Sequence, residues 1–470
     1  MNFIDQLLKN VERSLIGAVE GGISDALSSF GIGGSGISSE TTIVPGDVDI
    51  IGIRIVDENK QKLYDIRDQV KTIDIYEDIR HPTVFCILGY QDGIGLDERY
   101  MFQGNEYVMI DIKTPGNSKP TSYFLRTKSA PKNIVYGPNF KYKTYNVECR
   151  NPDVVKSTGQ NLNRTIKSLG SDAVIDILTN DLHTSEKINV EQTKGMYPLG
   201  IQQLKPFKAI DKIRKSALSI SKKYASHSYL FFQNKFGYNF VTLEKLLDDA
   251  SSSLSNPFND RVFFFDNGSS NMDMQNMTMR NILNLEYIQT SDAEDAIGQG
   301  LLYTVLRTTD LITGSRNKFE YKMQIDSDKY YMGAESGKGG RLFDQGMLEK
   351  HSEKTSSTLH VPISSGEFLE EGINYDPKNY AEKLINTIGF VGQATQSSLI
   401  MEVYGDTDIT AGVGVKCYLP TSDGITTDTG NAKTTSGNYL VTAVRHMIVN
   451  SSRPQHIMSM ALIRGTLGGK

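Results

Sequence analysis

Apolar positions along the chain follow two different periods. Over residues 1–30, Ile4, Leu7, Leu8, Val11, Leu15, Val19, Ile23, Ala26, Leu27 and Phe30 recur at three- and four-residue steps. That spacing predicts an amphipathic helix. Gly17, Gly21 and Gly22 each weaken a helix by up to about 1 kcal/mol relative to Ala, so this one needs a partner surface. Gly31-Ile-Gly-Gly-Ser-Gly36 then acts as a flexible linker. Two readings stay open: a helix lying on its own domain, or a self-associating or partner-binding segment. Its polar face sets Lys9 and Arg13 against Asp5, Glu12, Glu20 and Asp25, which disfavours a membrane surface.

From Val44 the period becomes two. Asp47–Val56, Val70–Ile79, Thr83–Tyr90, Met101–Ile112, Tyr123–Thr127 and Tyr142–Cys149 read as short strands. Turn signals such as Asp92-Gly93 and Pro115-Gly116 separate them, which predicts a small antiparallel barrel. Residues 151–250 change again. Leu162–Leu169 and Ser171–Leu182 have helical spacing, and Pro206–Tyr224 is the clearest helix, with Ala209, Ile210, Ile213, Ala217 and Ile220 on one stripe. Ser228–Gln233 and Tyr238–Thr242 form an aromatic hairpin across Asn234-Lys-Phe-Gly237, closed by Leu243–Leu247. Further on, Gly300–Leu306 and Phe319–Ile325 read as strands, residues 330–380 as loops, and Tyr380–Ile388 as a short helix ended by Gly389. Ser398–Tyr404, Val413–Leu419, Asn438–Val444 and Ile457–Ile463 are strands again.

The expected fold is α+β, mainly β. It has two small antiparallel β-barrels, the second discontinuous, plus an α+β helix-hairpin module and an N-terminal helix. The divisions are 1–36 (helix and Gly-rich linker), 44–150 (first barrel), 151–255 (helix-hairpin module), 277–330 with 385–470 (second barrel), and 331–384 (insertion). A length of 470 residues fits several domains.

Composition narrows the function. A formal net charge of −5 argues against a protein built to grip phosphate backbones, although DNA passing nearby is compatible with it. Cys86, Cys149 and Cys417 are far apart without a CxxC, so a reducing site of synthesis and apolar packing are expected rather than a disulfide framework. No apolar run is long enough for a membrane span, and the N-terminus lacks the features of a signal peptide.

Candidate chemistry is thin. Met332–Gly340 is glycine-rich, but only three residues separate Gly333 from Gly337 and Gly339 follows Lys338, so it is not a phosphate loop. Asp406-Thr-Asp408 and Asp326-Ser-Asp328 could hold a cation; solvated turn carboxylates are the expected alternative, since neither has the EF-hand glycine and glutamate. His81, His183, His227, His351, His360, His446 and His456 show no zinc-ligand spacing, and a structural role is expected for His446 and His456 on neighbouring strands. No G-x-S-x-G elbow is present. Asn163-Arg-Thr165 and Asn276-Met-Thr278 are sequons by chance in a protein made in the cytoplasm. No catalytic, cofactor or metal residue is assigned, and no enzyme activity is expected.

Three segments together resemble the hub family shared by contractile phage baseplates and the VgrG proteins of type VI secretion. They are Ser228–Leu246 after the Pro206 helix, the ending Ser436-Gly-Asn-Tyr-Leu-Val-Thr-Ala-Val-Arg-His446 with Ile457–Arg464, and Phe102–Ile112. The resemblance implies a structural hub subunit, a homotrimer whose barrels form a pseudo-sixfold ring joining the hexameric tail tube to a trimeric central spike. It also implies a channel lined for DNA ejection, with no specific nucleic-acid binding. Implied partners are further copies of the chain, the tail tube protein, the spike protein, baseplate wedge proteins and a tape-measure protein. The implied location is the virion tail baseplate. The N-terminal helix, the 330–380 insertion and the lack of a spike β-helix depart from the family. Two alternatives compete: a tail-associated cell-wall hydrolase, and a receptor-binding tail protein suggested by the 23 tyrosines.

Overall fold

Alternation in the N-terminal third becomes eight strands: β1 (Asp49–Val56), β2 (Lys62–Asp65), β3 (Val70–Asp78), β4 (Phe85–Asp92), β5 (Tyr107–Lys113), β6 (Thr121–Thr127), β7 (Lys132–Tyr136) and β8 (Lys143–Arg150). Successive side chains point to opposite faces of a strand, so one face collects the apolar set. Ile53 and Ile55, Ile73 and Ile75, Cys86 and Leu88, Val108 and Ile110, and Val147 and Cys149 form one buried core. Each such side chain contributes about 1.5–3 kcal/mol when removed from water. The computed structural model describes residues 44–57, 61–93, 95, 105–128, 132–138, 141–194, 199–220, 228–251, 261–265, 280–289, 294, 303–311, 314–322, 357–363, 384–387, 390–392, 394–395, 397–419 and 436–464. The N-terminal helix and its linker, the Met332–Gly340 stretch, Asp326-Ser-Asp328, His227, His351 and Asn276 lie outside the described residues.

The middle module contains α1 (Asp153–Gly159), β9 (Leu162–Ile166), α2 (Gly170–Asp176, continuing as a π-turn through Asp181), β10 (Ile188–Val190) and β11 (Leu199–Leu204). It continues with α3 (Pro206–Ser216), β12 (Tyr229–Asn234), β13 (Gly237–Thr242) and α4 (Leu243–Ser251). Every residue of β12 and β13 is buried. Phe231 stacks on Tyr238 and Tyr229 on Phe240, and Ala209, Ile210 and Ile213 of α3 share their core.

Two sequence expectations fail here. Leu162–Leu169 was expected to be helical, but β9 pairs antiparallel with β11. Leu162 and Ile166 are the buried pair, and a four-residue step puts both on one side of a helix and of a strand alike. The partner strand decides between them. The Pro206 helix ends at Ser216, short of Tyr224, and Ile220 is exposed instead of lying on its stripe. Beyond Ala217 the chain runs extended: Lys194 N donates to the Leu218 carbonyl, and Ser219 Oγ donates to Glu191 at 2.8 Å.

The β12–β13 turn depends on Gly237, which has φ +118°. A Cβ there would sit 2.2 Å from the Lys187 carbonyl oxygen. Gly237→Ala is therefore expected to destabilise the fold by about 2–3 kcal/mol, from backbone strain plus the forced shift of Lys187. Urea unfolding checks this, and an unchanged midpoint would contradict it.

The C-terminal part supplies β14 (Val262–Phe264), β15 (Ile282–Gln289), β16 (Tyr303–Asp310), β17 (Arg316–Lys322), β18 (Ser357–Ile363), β19 (Ser397–Tyr404), β20 (Gly414–Tyr418), β21 (Gly437–Val449) and β22 (Gln455–Arg464). Leu399, Met401, Val403, Val415, Val441, Met458 and Met460 belong to its core. Ala443–Val449 of β21 pair with Thr72–Asp78 of β3, so both cores share one 14-stranded sheet. Its main path runs β15-β19-β22-β21-β3-β4-β8-β6-β5-β1-β2. The fold is thus mainly β, with a curled antiparallel sheet of half-barrel form. Among the described residues β1 and β3 do not pair with one another, so the first unit is open along that side.

Residues 277–330 divide. β15 joins the large sheet, whereas β16 and β17 form a separate sheet with β18, in the order β17-β16-β18. The loop reading of 330–380 is thereby corrected at Ser357–Ile363. The surrounding Gly, Ser, Lys and Glu residues mask this strand in the sequence, and Pro362 fits because β18 lies at a sheet edge. Residues 384–387 are helical, inside the expected Tyr380–Ile388 segment. Among the described residues no helix is long and apolar enough to cross a membrane.

Candidate functional site

Where β3 meets β21, polar groups replace the apolar core. The segment Gly405-Asp-Thr-Asp-Ile-Thr-Ala-Gly412, between β19 and β20, lies over this seam. Thr407, Ile409, Thr410 and Ala411 are all buried. A buried loop must satisfy its backbone and side-chain polar groups inside the protein. This one does so by reaching three modules at once.

Toward the first β unit, Thr407 N donates to Thr114 Oγ1 at 2.9 Å and Thr114 N donates to Thr407 Oγ1 at 3.1 Å. Asn117 Nδ2 donates to Asp406 Oδ1 at 2.9 Å, and Thr121 Oγ1 donates to the Thr407 carbonyl at 3.0 Å. Toward the hairpin, Asn234 Nδ2 donates to the Ala411 carbonyl at 2.9 Å. Lys235 Nζ donates to the Thr407 carbonyl at 2.9 Å and to Asp408 at 3.1 Å. Arg261, just before β14, bridges Asp406 and Asp408, each at 3.3 Å. Asp406 and Asp408 are therefore part-buried carboxylates with protein partners. They are spent on protein cations and amides.

Beneath the loop, Glu77 of β3 is 2% exposed. One carboxylate oxygen accepts from the Tyr123 hydroxyl at 3.1 Å; the other accepts from Ala411 N at 3.0 Å and from Thr410 Oγ1. Burial raises its pKa, against the opposing pull of these donors and of Lys235. Beside it lie two buried imidazoles, His446 on β21 and His456 on β22, with Nδ1 of His446 and Nε2 of His456 3.1 Å apart. Nε2 of His446 and Nδ1 of His456 are buried without a partner. Burial lowers both pKa values: His456 to about 3, and His446 well below 6.5, where the neighbouring His456 and Lys235 add to the effect. Both rings are held neutral. Gly405 fits over His456 because it lacks a Cβ, which would lie 2.0 Å from the ring.

This arrangement fastens modules together. Among the described residues no cluster of three or more His, Cys, Asp or Glu side chains could hold a metal ion. A cavity of about 370 Å³ beside the loop is lined by Asp47, Asn117, Arg261, Arg280 and Tyr404. Its two carboxylates already pair, Asp47 with Arg453 and Asp406 with Arg261. The three cysteines are buried free thiols; burial pushes Cys149 and Cys417 up to about 12, so neither is a ready nucleophile. Cys86 lies opposite Cys149 across β4 and β8. His81 is in the turn after β3, His183 bonds the Thr179 carbonyl, and His360 lies on β18, so these three do not converge. Asn163, of the first sequon, accepts a hydrogen bond from Gln203 N.

Sequence reasoning paired His446 with His456 but passed over Glu77, Thr407, Thr410, Lys235 and Arg261. The signal available was a lone Glu in the strongly alternating run Val70–Ile79. It falls in the same buried phase as Ile73, Ile75 and Ile79, a charge at a core position, and nothing in the chain marks its partners.

No family model and no curated protein sequence matches the chain. Solved structures do. A tail protein from Neisseria meningitidis MC58 aligns over 89% of this chain and 96% of its own, at 10% identity and a TM-score of 0.52. A chain of the Francisella PdpA-VgrG complex in its lidded form aligns over 99% of this chain and 59% of its own, at 12% identity and a TM-score of 0.50. A 43 kDa tail protein of prophage MuSo2 from Shewanella oneidensis aligns over 89% and 98%, at 11% identity and a TM-score of 0.49.

Proposed function

We propose that this chain, which has the baseplate hub-like fold of phage tail proteins, is a structural hub subunit of a contractile phage tail. In this reading three copies close into a ring whose six β cores imitate the sixfold tail tube, while threefold symmetry is kept for a trimeric spike. Closed cyclic symmetry lets one patch meet a different patch on the neighbour and still terminate. Tube, spike, wedge and tape-measure proteins are the proposed partners, and the virion baseplate the proposed location.

One observation carries the reading: a single chain holds two adjacent β cores on one sheet, joined through β3 and β21. The buried 405–412 loop of the C-terminal part ties the two cores further through Thr114, Asn117 and Thr121 of the first unit, and holds the hairpin through Asn234 and Lys235. Such a unit offers two cores at a fixed spacing, as a pseudo-sixfold collar requires. The path of the large sheet ends in β15 on one side and β2 on the other, and exposed Tyr287 and Tyr64 lie on these strands. Edges left without a ladder partner among the described residues invite pairing with another chain. Mass photometry across a range of concentrations is expected to show a trimer, favoured further by added tube protein. A strict monomer indifferent to tube protein would overturn the proposal.

A further inference from the structure

On the outer face of the curled sheet, the register aligns Arg445, Tyr76, Phe85, Arg150, Arg126 and Tyr107 in one lateral row across six strands. Directly opposed residues share a face, so all six project from the same side. Arg445 caps the Tyr76 ring at 5.2 Å, and Tyr76 stacks on Phe85 with centroids 4.4 Å apart. At the other end Arg126 caps Tyr107 at 5.7 Å, and Tyr107 stacks on Phe124 at 5.2 Å. Between these two ladders the charge does not balance.

Arg445 has Asp74 at 2.9 Å, Lys128 has Glu148 at 2.8 Å, and Arg54 has Asp111. Arg126 and Arg150 have no carboxylate partner among the described residues. The Nη2 of Arg126 donates to the Asn105 side-chain carbonyl at 2.6 Å, while its Nε is buried with no acceptor. Arg150 is exposed and lies directly opposite Arg126 on the neighbouring strand. Like charges facing each other across strands are destabilising, so this pair costs the isolated chain stability.

We propose that Arg126 and Arg150 form an anion site, occupied by a carboxylate from an acidic segment of a partner protein. Two guanidinium forks side by side match the planar, bidentate acceptor that a carboxylate or phosphate presents. Two features favour the carboxylate of a protein. The flanking rings are stacked on one another and capped by arginines, which leaves few free faces for nucleobases to stack on. Arginine, tyrosine and phenylalanine side by side is the composition of a protein–protein hot spot.

The test is calorimetric titration of the full chain and of the Arg126→Gln and Arg150→Gln variants with decaglutamate, using oligo-dT as a second probe. Decaglutamate is expected to bind the unaltered chain and to lose about tenfold in affinity with either variant. With no ligand present, Arg150→Gln is expected to melt at a higher temperature than the unaltered chain, because a repulsion has gone. Absence of saturable peptide binding, or affinities equal in all three proteins, would overturn the site. Oligo-dT that displaces the peptide and needs the same arginines would overturn the protein carboxylate as occupant. A lower melting temperature for Arg150→Gln would overturn the uncompensated pair.

Discussion

Glu77→Ala is expected to lower stability by about 3–5 kcal/mol, the range for removing one member of a buried charged network. The substitution deletes the acceptor of three donors that cannot reach water. The Tyr123 and Thr410 hydroxyls and Ala411 N would all lose their carboxylate acceptor in a buried place. Each orphaned group costs about 1–3 kcal/mol. The damage falls on the contact between the two β cores rather than inside either one. A second expected sign is a urea transition that broadens or splits, because the cores no longer unfold together. Glu77→Gln keeps the shape and one acceptor oxygen and should recover part of the loss. Unfolding followed by far-ultraviolet dichroism and tyrosine fluorescence measures both effects. A loss below about 1 kcal/mol with one sharp transition would remove Glu77 from its role at the seam.

Acidification is expected to weaken the same seam through the two imidazoles. The folded pKa values of His446 and His456 lie below the unfolded value, so between that value and the folded ones the unfolded chain binds more protons. Stability from this source is complete above about pH 6.5 and is lost as the pH falls through the folded values. For His456, a shift from 6.5 to about 3 sets an upper limit on the order of 5 kcal/mol when the loss is complete. Lys235 works in the same direction by repelling a protonated His446, while Asp406 opposes it. Glu77 has the opposite sign: its folded pKa is raised, so the folded chain takes up that proton first and offsets part of the loss. The measurement is the urea midpoint from pH 7.5 to 4, for the unaltered chain and for the double variant His446→Gln with His456→Gln. The unaltered chain should lose clearly more stability over this range than the double variant. Parallel pH profiles would mean that the pair does not titrate with unfolding.

Most strands were legible because burial on one face imposes a period of two, and that period survives in the residue order. Val70–Ile79 and Thr83–Tyr90 announce β3 and β4 in this way. The aromatic hairpin was legible too, since Asn234-Lys-Phe-Gly237 sets the turn whatever surrounds it. Leu162–Leu169 was misread because Leu162 and Ile166 suit either period until β11 arrives as a partner. Ser357–Ile363 was hidden among polar neighbours and depends on β16, some fifty positions earlier. The seam was nearly invisible, since Thr114, Glu77, Lys235 and Thr407 are distant in sequence and individually unremarked.

The amino-acid order by itself determined the mainly β character, the buried faces of most strands, and the pairing of the aromatic strands β12 and β13. All of these follow from periodicity and turn chemistry, which act between near neighbours. Only the tertiary structure decided that β3 and β21 join two cores into one sheet. It also decided that the 405–412 loop spends its carboxylates on Arg261 and Lys235, and that Arg126 and Arg150 face each other without a counter-charge among the described residues. Those are long-range pairings. Their free energy exists only once distant strands have met, and no local rule encodes it.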